Sequence, residues 1–104
     1  MALKQVRMER ERDTGMPITA LREIKILESL QHQNIVCLKE VAVGNKWDEI
    51  YLVFEYVDHD MADLLDSINK PFSLSEIKCL FKQLLEAVAY MHMNWVIHRD
   101  IKVL

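Results

Sequence analysis

One hundred and four residues suit a single domain or part of a larger one. An apolar fraction of 51%, with only two Gly and two Pro, excludes a disordered or collagen-like chain. A net charge of −3, from 13 basic and 16 acidic residues, lacks the clustered basic face of a nucleic-acid binder, and no apolar run approaches the ~20 residues of a membrane span.

Residues 2–8 read as a strand, with Ala2, Lys4, Val6 and Met8 on one face and Leu3, Gln5 and Arg7 on the other. A loop follows through Gly15, and the alternating charges over 7–13 suit a solvated connector. Pro17 favours a helix start, because its fixed φ suits the first turn and its missing N–H is not needed there. Leu21, Ile24, Leu27 and Leu30 then recur at spacing three, which fits a helix to about Gln31. Residues 35–43 and 50–57 are rich in Val, Ile, Tyr and Leu and read as an antiparallel hairpin joined over 44–49.

A short helix is expected over 60–68, and Pro71 interrupts it. Ser73 and Glu76 fit a capping box, in which each side chain satisfies the other residue's free backbone N–H. From there Leu74, Ile77, Phe81, Leu84, Val88, Met91 and Trp95 step by three and four, and Leu80, Leu85 and Ala89 sit on the opposite face. A helix apolar on several sides belongs inside a domain. Val96 and Ile97 make a short β-like step into the last residues. Mixed strands and helices with hairpin pairing give an α+β class.

The two cysteines, Cys37 and Cys79, lie in apolar-periodic segments and read as buried free thiols, which fits a reducing cytosolic or nuclear setting. The N-terminus carries no signal-peptide pattern. The histidines at 32, 59, 92 and 98 show no metal-ligand spacing, so no metal site is expected.

Two charges fall on apolar faces. Lys4 shares a strand face with Ala2 and Val6, and Glu23 precedes Leu27 and Leu30 on the helix stripe. Either both snorkel to solvent at the sheet edge, or they pair. A buried or half-buried pair is weak evidence for stability and better evidence for a site, since the lysine can hold a phosphate.

Five segments decide between these readings by resemblance. Ala2-Leu3-Lys4 is similar to the Ala-x-Lys of the protein kinase third strand. Pro17-Ile18-Thr19-Ala20-Leu21-Arg22-Glu23 resembles the cyclin-binding helix signature of cyclin-dependent kinases, in its transcription-associated PITALRE and PITSLRE forms. His32-Gln33-Asn34 resembles the His-x-Asn turn before the fourth strand, and Tyr51-Leu52-Val53-Phe54-Glu55-Tyr56-Val57 resembles the fifth strand and hinge. His98-Arg99-Asp100-Ile101-Lys102 resembles the start of the catalytic loop. In order and spacing, these cover nearly the whole chain.

The resemblance implies a protein-kinase-like fold, with a partial N-lobe and hinge over 1–57 (the family's third to fifth strands and its C-helix) and the first helices of the C-lobe over 58–104. It implies phosphoryl transfer from ATP, with Mg2+, to Ser or Thr of a protein substrate. By it Lys4 grips the α- and β-phosphates and pairs with Glu23, Ala2 sits over the adenine, and Phe54 is the bulky residue at the back of the pocket. The backbone of Glu55 and Val57 bonds the adenine edge, and Asp60 reaches the ribose. Asp100 is the catalytic base and Lys102 neutralises the transferring phosphate, a spacing that resembles Ser/Thr rather than tyrosine kinases. Arg22 and Arg99 hold a phosphorylated activation-loop residue, and His98 supports the loop. The helix over 17–31 implies a cyclin partner, and a nuclear or cytoplasmic location is expected.

Some family features have no counterpart among these residues. There is no Gly-rich loop, no Asp-Phe-Gly and no metal-binding Asn, which would come directly after Leu104. Met1 stands where the family often has Val, and Leu104 stands where a small or polar residue is usual. Taken alone, the 104-residue chain is therefore expected to be inactive, and the apolar sides of the 73–95 helix are expected to make it poorly soluble. The alternatives to a kinase segment are a non-catalytic cyclin-binding module and a truncated gene product.

Overall fold

A computed structural model describes residues 1–6, 18–45 and 49–103, the side chains of residues 18 and 19 excepted. The expected extension of the first strand to 8, the charged connector over 7–13, the Pro17 helix start, the turn residues 46–48 and the departure at Leu104 lie outside the described residues. The elements are β1 (Ala2–Val6), α1 (Ile18–Ser29), β2 (Leu38–Val43), β3 (Ile50–Phe54), α2 (Met61–Ser67) and α3 (Leu74–Met93). The chain divides into two units, Met1–Tyr56 and Val57–Leu104.

The first unit is a three-stranded antiparallel sheet in the order β1-β3-β2, with α1 on one face. Central β3 alternates so that Ile50, Leu52 and Phe54 share a face. Ile24, Leu38 and Leu52 form the core there, with Val6, Leu27, Val41 and Phe54 packed around it. Leu52 is only 1% exposed. α1 turns Ala20, Ile24 and Leu27 inward, whereas Leu21, placed on the stripe by its spacing, is exposed. Leu30 is buried beyond the end of the helix.

β2 contains a bulge. Leu38 lies opposite Phe54 and Glu40 opposite Val53, so Lys39 is an extra residue. Without it, strict alternation would send Leu38 and Val41 to opposite faces. With it, both reach the core. The strand begins at Leu38 rather than 35, because Ile35 N–H donates to the His32 carbonyl and closes a turn. The expected hairpin is present, and Gly44 N–H donates to the Glu49 carbonyl at 2.7 Å to close it. A side chain at Gly44 would collide with that of Glu49.

The second unit holds α2 and α3. Asp60 caps α2, its Oδ1 accepting the Asp63 N–H at 2.7 Å. The capping box of α3 is complete: Ser73 N–H donates to Glu76 Oε1 at 3.1 Å, and Glu76 N–H donates to Ser73 Oγ at 3.3 Å. Of the α3 residues, Ala87 is the buried one, while Leu74, Ile77, Phe81, Leu84 and Leu85 are exposed. The half-buried side is made by Leu80, Val88, Tyr90 and Met91. The long stripe read from spacing is therefore largely open in this chain. No described helix is long and apolar enough to cross a membrane.

Cys37 is half-buried and Cys79 exposed, both as free thiols, which corrects the expectation that both are buried. Cys79 lies on an exposed side of α3, so apolar periodicity did not translate into burial.

Hydrogen bonds from Ser73, through its side chain first and its backbone second, hold the Glu76 carboxyl below its ordinary value of 4.5. A depressed folded-state value stabilises the helix above the ordinary value and loses that contribution as pH falls through the folded one. Glu76→Gln keeps an acceptor for the Ser73 N–H but does not titrate. The expected result is that α3 helicity of the parent falls further on acidification than that of Glu76→Gln, measured as the difference between their far-UV circular dichroism titrations.

Candidate functional site

In the first unit, the strand register places the site. Ala2 lies opposite Phe54 and Lys4 opposite Leu52, so Ala2, Lys4 and Phe54 share the sheet face that α1 packs on. α1 brings Glu23 to that face, and Lys4 Nζ meets Glu23 Oε1 at 3.5 Å. Their side chains are 63% and 51% exposed. An exposed pair of this kind contributes about 0–1 kcal/mol, so stability does not account for it. The pairing left open by the sequence pattern occurs at the surface, with both head groups accessible to a ligand. Arg22, next to Glu23, is exposed.

Glu55 directly follows β3. Its N–H donates to the Cys37 carbonyl at 3.1 Å, and its Oε1 accepts the Cys37 N–H at 3.0 Å. Of its backbone polar groups, the N–H is thus committed within the unit.

In the second unit, Val57 and Asp60 are exposed, and the Asp60 carboxylate is engaged as the α2 cap. α3 ends at Asn94, after which Trp95 takes a left-handed φ of 61°. Trp95 N–H donates to the His92 carbonyl and Val96 N–H to the Met91 carbonyl, a Schellman closure that re-aims the chain into the terminal loop. Trp95 is 95% exposed and occupies a position that suits glycine. Trp95→Gly is expected to raise the stability of α3 by about 1 kcal/mol, by relieving the left-handed φ, read as a higher melting temperature by circular dichroism.

Within the loop, Asp100 N–H donates to His98 Nδ1 at 3.1 Å, and Lys102 Nζ stands 3.3 Å from Asp100 Oδ2. Arg99 has a φ of 67°, in the left-handed region. The loop therefore brings His98, Asp100 and Lys102 into contact, while Asp100 and Lys102 remain largely open to solvent. Among the described residues, no three His, Cys, Asp or Glu side chains gather as a metal-binding group.

Two roles were missed by sequence reasoning. The Asp60 cap has a local signal, an acidic residue three positions before Asp63 at the head of a helix. The Glu55 side-chain bond has none, since its partner lies 18 residues away in the chain.

The model of the protein kinase domain family matches residues 1–103. The chain belongs to the protein kinase family. Its kinase relatives include the probable cyclin-dependent kinase 10 of Dictyostelium discoideum, 57% identical over 102 residues. That alignment covers 98% of this chain and 28% of that protein. Human cyclin-dependent kinase 10 is 50% identical over 103 residues, which are 99% of this chain and 28% of that one. A chain in the crystal structure of the yeast RNA Pol II CTD kinase CTDK-1 complex matches with a TM-score of 0.80 and 40% identity, over 97% of this chain and 32% of that chain. The fold is thus protein-kinase-like, a partial N-lobe followed by the start of the C-lobe, and the chain spans less than a third of the relatives it matches.

Proposed function

We propose that these residues are the nucleotide-gripping and catalytic-loop segment of a cyclin-dependent Ser/Thr protein kinase. The Lys4–Glu23 pair carries this reading: an ion pair too exposed to serve stability, joining β1 to α1 with its ammonium open to solvent. Lys4 is a cation suited to phosphate oxygens, and Glu23 holds it in place by opposing its charge. The family resemblance gives Ala2, Phe54 and the backbone of Glu55 and Val57 the adenine, and Asp60 the ribose. Among the described residues no group of side chains supplies a magnesium site, and magnesium's part in the reaction would be to neutralise phosphate charge.

Asp100 orients and deprotonates a Ser or Thr hydroxyl, and Lys102 stands beside it to offset charge on the transferring phosphate. Arg22 and Arg99 are guanidinium partners for a phosphorylated activation-loop residue. α1 is the cyclin-facing helix. Its outer residues Leu21 and Ile26 are exposed, which supplies apolar surface for a partner. The same observation favours a second reading, a cyclin-binding module without catalysis. A nuclear or cytoplasmic location accompanies both.

The test is a chimera in which residues 1–104 replace the matching segment of the Dictyostelium relative. Phosphate transfer from ATP to a Ser/Thr peptide is measured with and without cyclin. Cyclin-stimulated transfer that Lys4→Met removes is expected. A folded chimera that binds cyclin without transferring phosphate supports the second reading, and one that does neither overturns both. The 104-residue chain alone is expected to transfer none.

A further inference from the structure

Trp95 has no part in the roles above, and two independent observations single it out. Its φ of 61° lies in the left-handed region, a conformation strained for a residue with a Cβ. Its large apolar side chain is 95% exposed. The neighbouring Asn94 is of a type that accepts a left-handed backbone readily, yet its φ is −97°. Trp95 therefore costs stability through its backbone and gains none through burial. A backbone outlier that the fold does not repay points to a contact with something else.

Beside the indole opens a groove of about 270 Å³, lined by His92, Trp95, Val96 and Ile97. Small-molecule sites run to roughly 300–1,000 Å³. This groove is smaller and suits one aliphatic or aromatic side chain. Met93 and Ile97 flank Trp95 two residues to either side and add exposed apolar surface. Tryptophan is also the side chain that most often anchors a protein interface.

The surrounding charge sets the partner's sign. Over 92–103 the one carboxylate side chain is Asp100, which Lys102 Nζ already meets at 3.3 Å. Arg99 is left over, so this stretch is positive in a chain of net charge −3. The carbonyls that would draw a cation to the end of α3 are occupied: Tyr90 and Met91 accept from Asn94, Met91 from Val96, and His92 from Trp95. The exposed indole N–H is a donor and never an acceptor, which again suits a carboxylate.

We propose that Trp95 and the groove beside it form a docking surface for an acidic protein segment that inserts one aliphatic or aromatic side chain. The site uses neither the nucleotide nor Asp100. The probe is the capped hexapeptide Asp-Asp-Leu-Phe-Asp-Asp, titrated into the uniformly 15N-labelled 104-residue chain. The controls are Lys-Lys-Leu-Phe-Lys-Lys and Asp-Asp-Ser-Ser-Asp-Asp. The first peptide is expected to move the amide signals of Val96 and Ile97 and one of the two tryptophan indole signals, the one that Trp95→Gly abolishes. Each control is expected to bind at least about tenfold more weakly. Trp95→Gly is expected to lose about tenfold in affinity for the first peptide while its melting temperature rises. A merely structural role cannot give those opposite directions. Ile97→Ser, which keeps the indole signal, is expected to show a similar loss. Calorimetry with the same peptides on the chimera with the Dictyostelium relative is expected to give the same order.

A parent chain whose signals the first peptide does not move overturns the inference. So does equal binding of the lysine peptide, which would remove the acidic partner. Binding by Trp95→Gly within about twofold of the parent removes the anchor. Signals that move with protein concentration alone would give the groove to a second copy. Binding by the 104-residue chain but not by the chimera would mean that the rest of the kinase covers the groove, and overturns it too.

Discussion

Leu52→Ala is expected to unfold most of the Met1–Tyr56 unit at room temperature. Leu52 is 1% exposed at the centre of the middle strand, flanked by Lys4 of β1 and Val41 of β2 and packed with Ile24 and Leu38. Truncating a leucine in such a site costs about 2–5 kcal/mol, the lost transfer energy plus the cavity. A unit of this size holds roughly 3–8 kcal/mol in total, at ~0.05–0.15 kcal/mol per residue. The loss is thus comparable with the whole. Urea unfolding followed by circular dichroism checks it, with Leu52→Met as the volume-conserving control at under about 1.5 kcal/mol. A midpoint for Leu52→Ala matching that of Leu52→Met would show that the sheet does not depend on this contact. Function follows the same residue: β1 and α1 meet across this core, so losing it also separates Lys4 from Glu23.

Where local chemistry determines structure, the sequence was readable. The Ser73 and Glu76 box, the hairpin between β2 and β3, and the turn at His32 all depend on neighbours within a few residues, and each is present. The order of strands and helices followed from periodicity for the same reason. Reading failed where a distant partner decides. The bulge at Lys39 is set by the register against β3, and alternation within β2 gives no sign of it. The Glu55 clamp depends on Cys37, and the exposure of Cys79 depends on what lies over α3. Periodicity on α3 showed which residues are apolar, but not which of them this chain covers. Leu80 and Ala87 sit on the covered side, while Leu74, Ile77 and Phe81 are open. For the candidate site, spacing placed Lys4 and Glu23 on suspect faces, and only the three-dimensional register put them 3.5 Å apart. The 3.3 Å contact of Lys102 with Asp100 was not read from the sequence, where the resemblance gave Lys102 the transferring phosphate and named no pairing between the two.

Asp100→Asn is expected to lower kcat by about 10²- to 10⁴-fold, the range for removing a positioned proton acceptor, in the chimera with the Dictyostelium relative. The substitution is close to isosteric. It preserves the backbone N–H bond to His98 and so the shape of the loop. What it removes is the charge that faces Lys102 and the ability to take a proton from a hydroxyl. The ion pair itself is exposed and worth no more than about 1 kcal/mol, so folding should be unaffected. The KM for ATP should also hold, because the phosphate grip proposed above is assigned to Lys4 on β1, in the other unit of the chain. Lys4→Met should show the opposite pattern, with a raised KM for ATP as well as lost turnover. The two variants therefore separate grip from proton transfer by kinetics. If Asp100→Asn instead raised the KM for ATP and left kcat within about tenfold, the carboxylate would be acting on nucleotide and not on the hydroxyl. Its contacts with His98 and Lys102 would then be shaping a binding loop, and the reading of Asp100 as the base would fall.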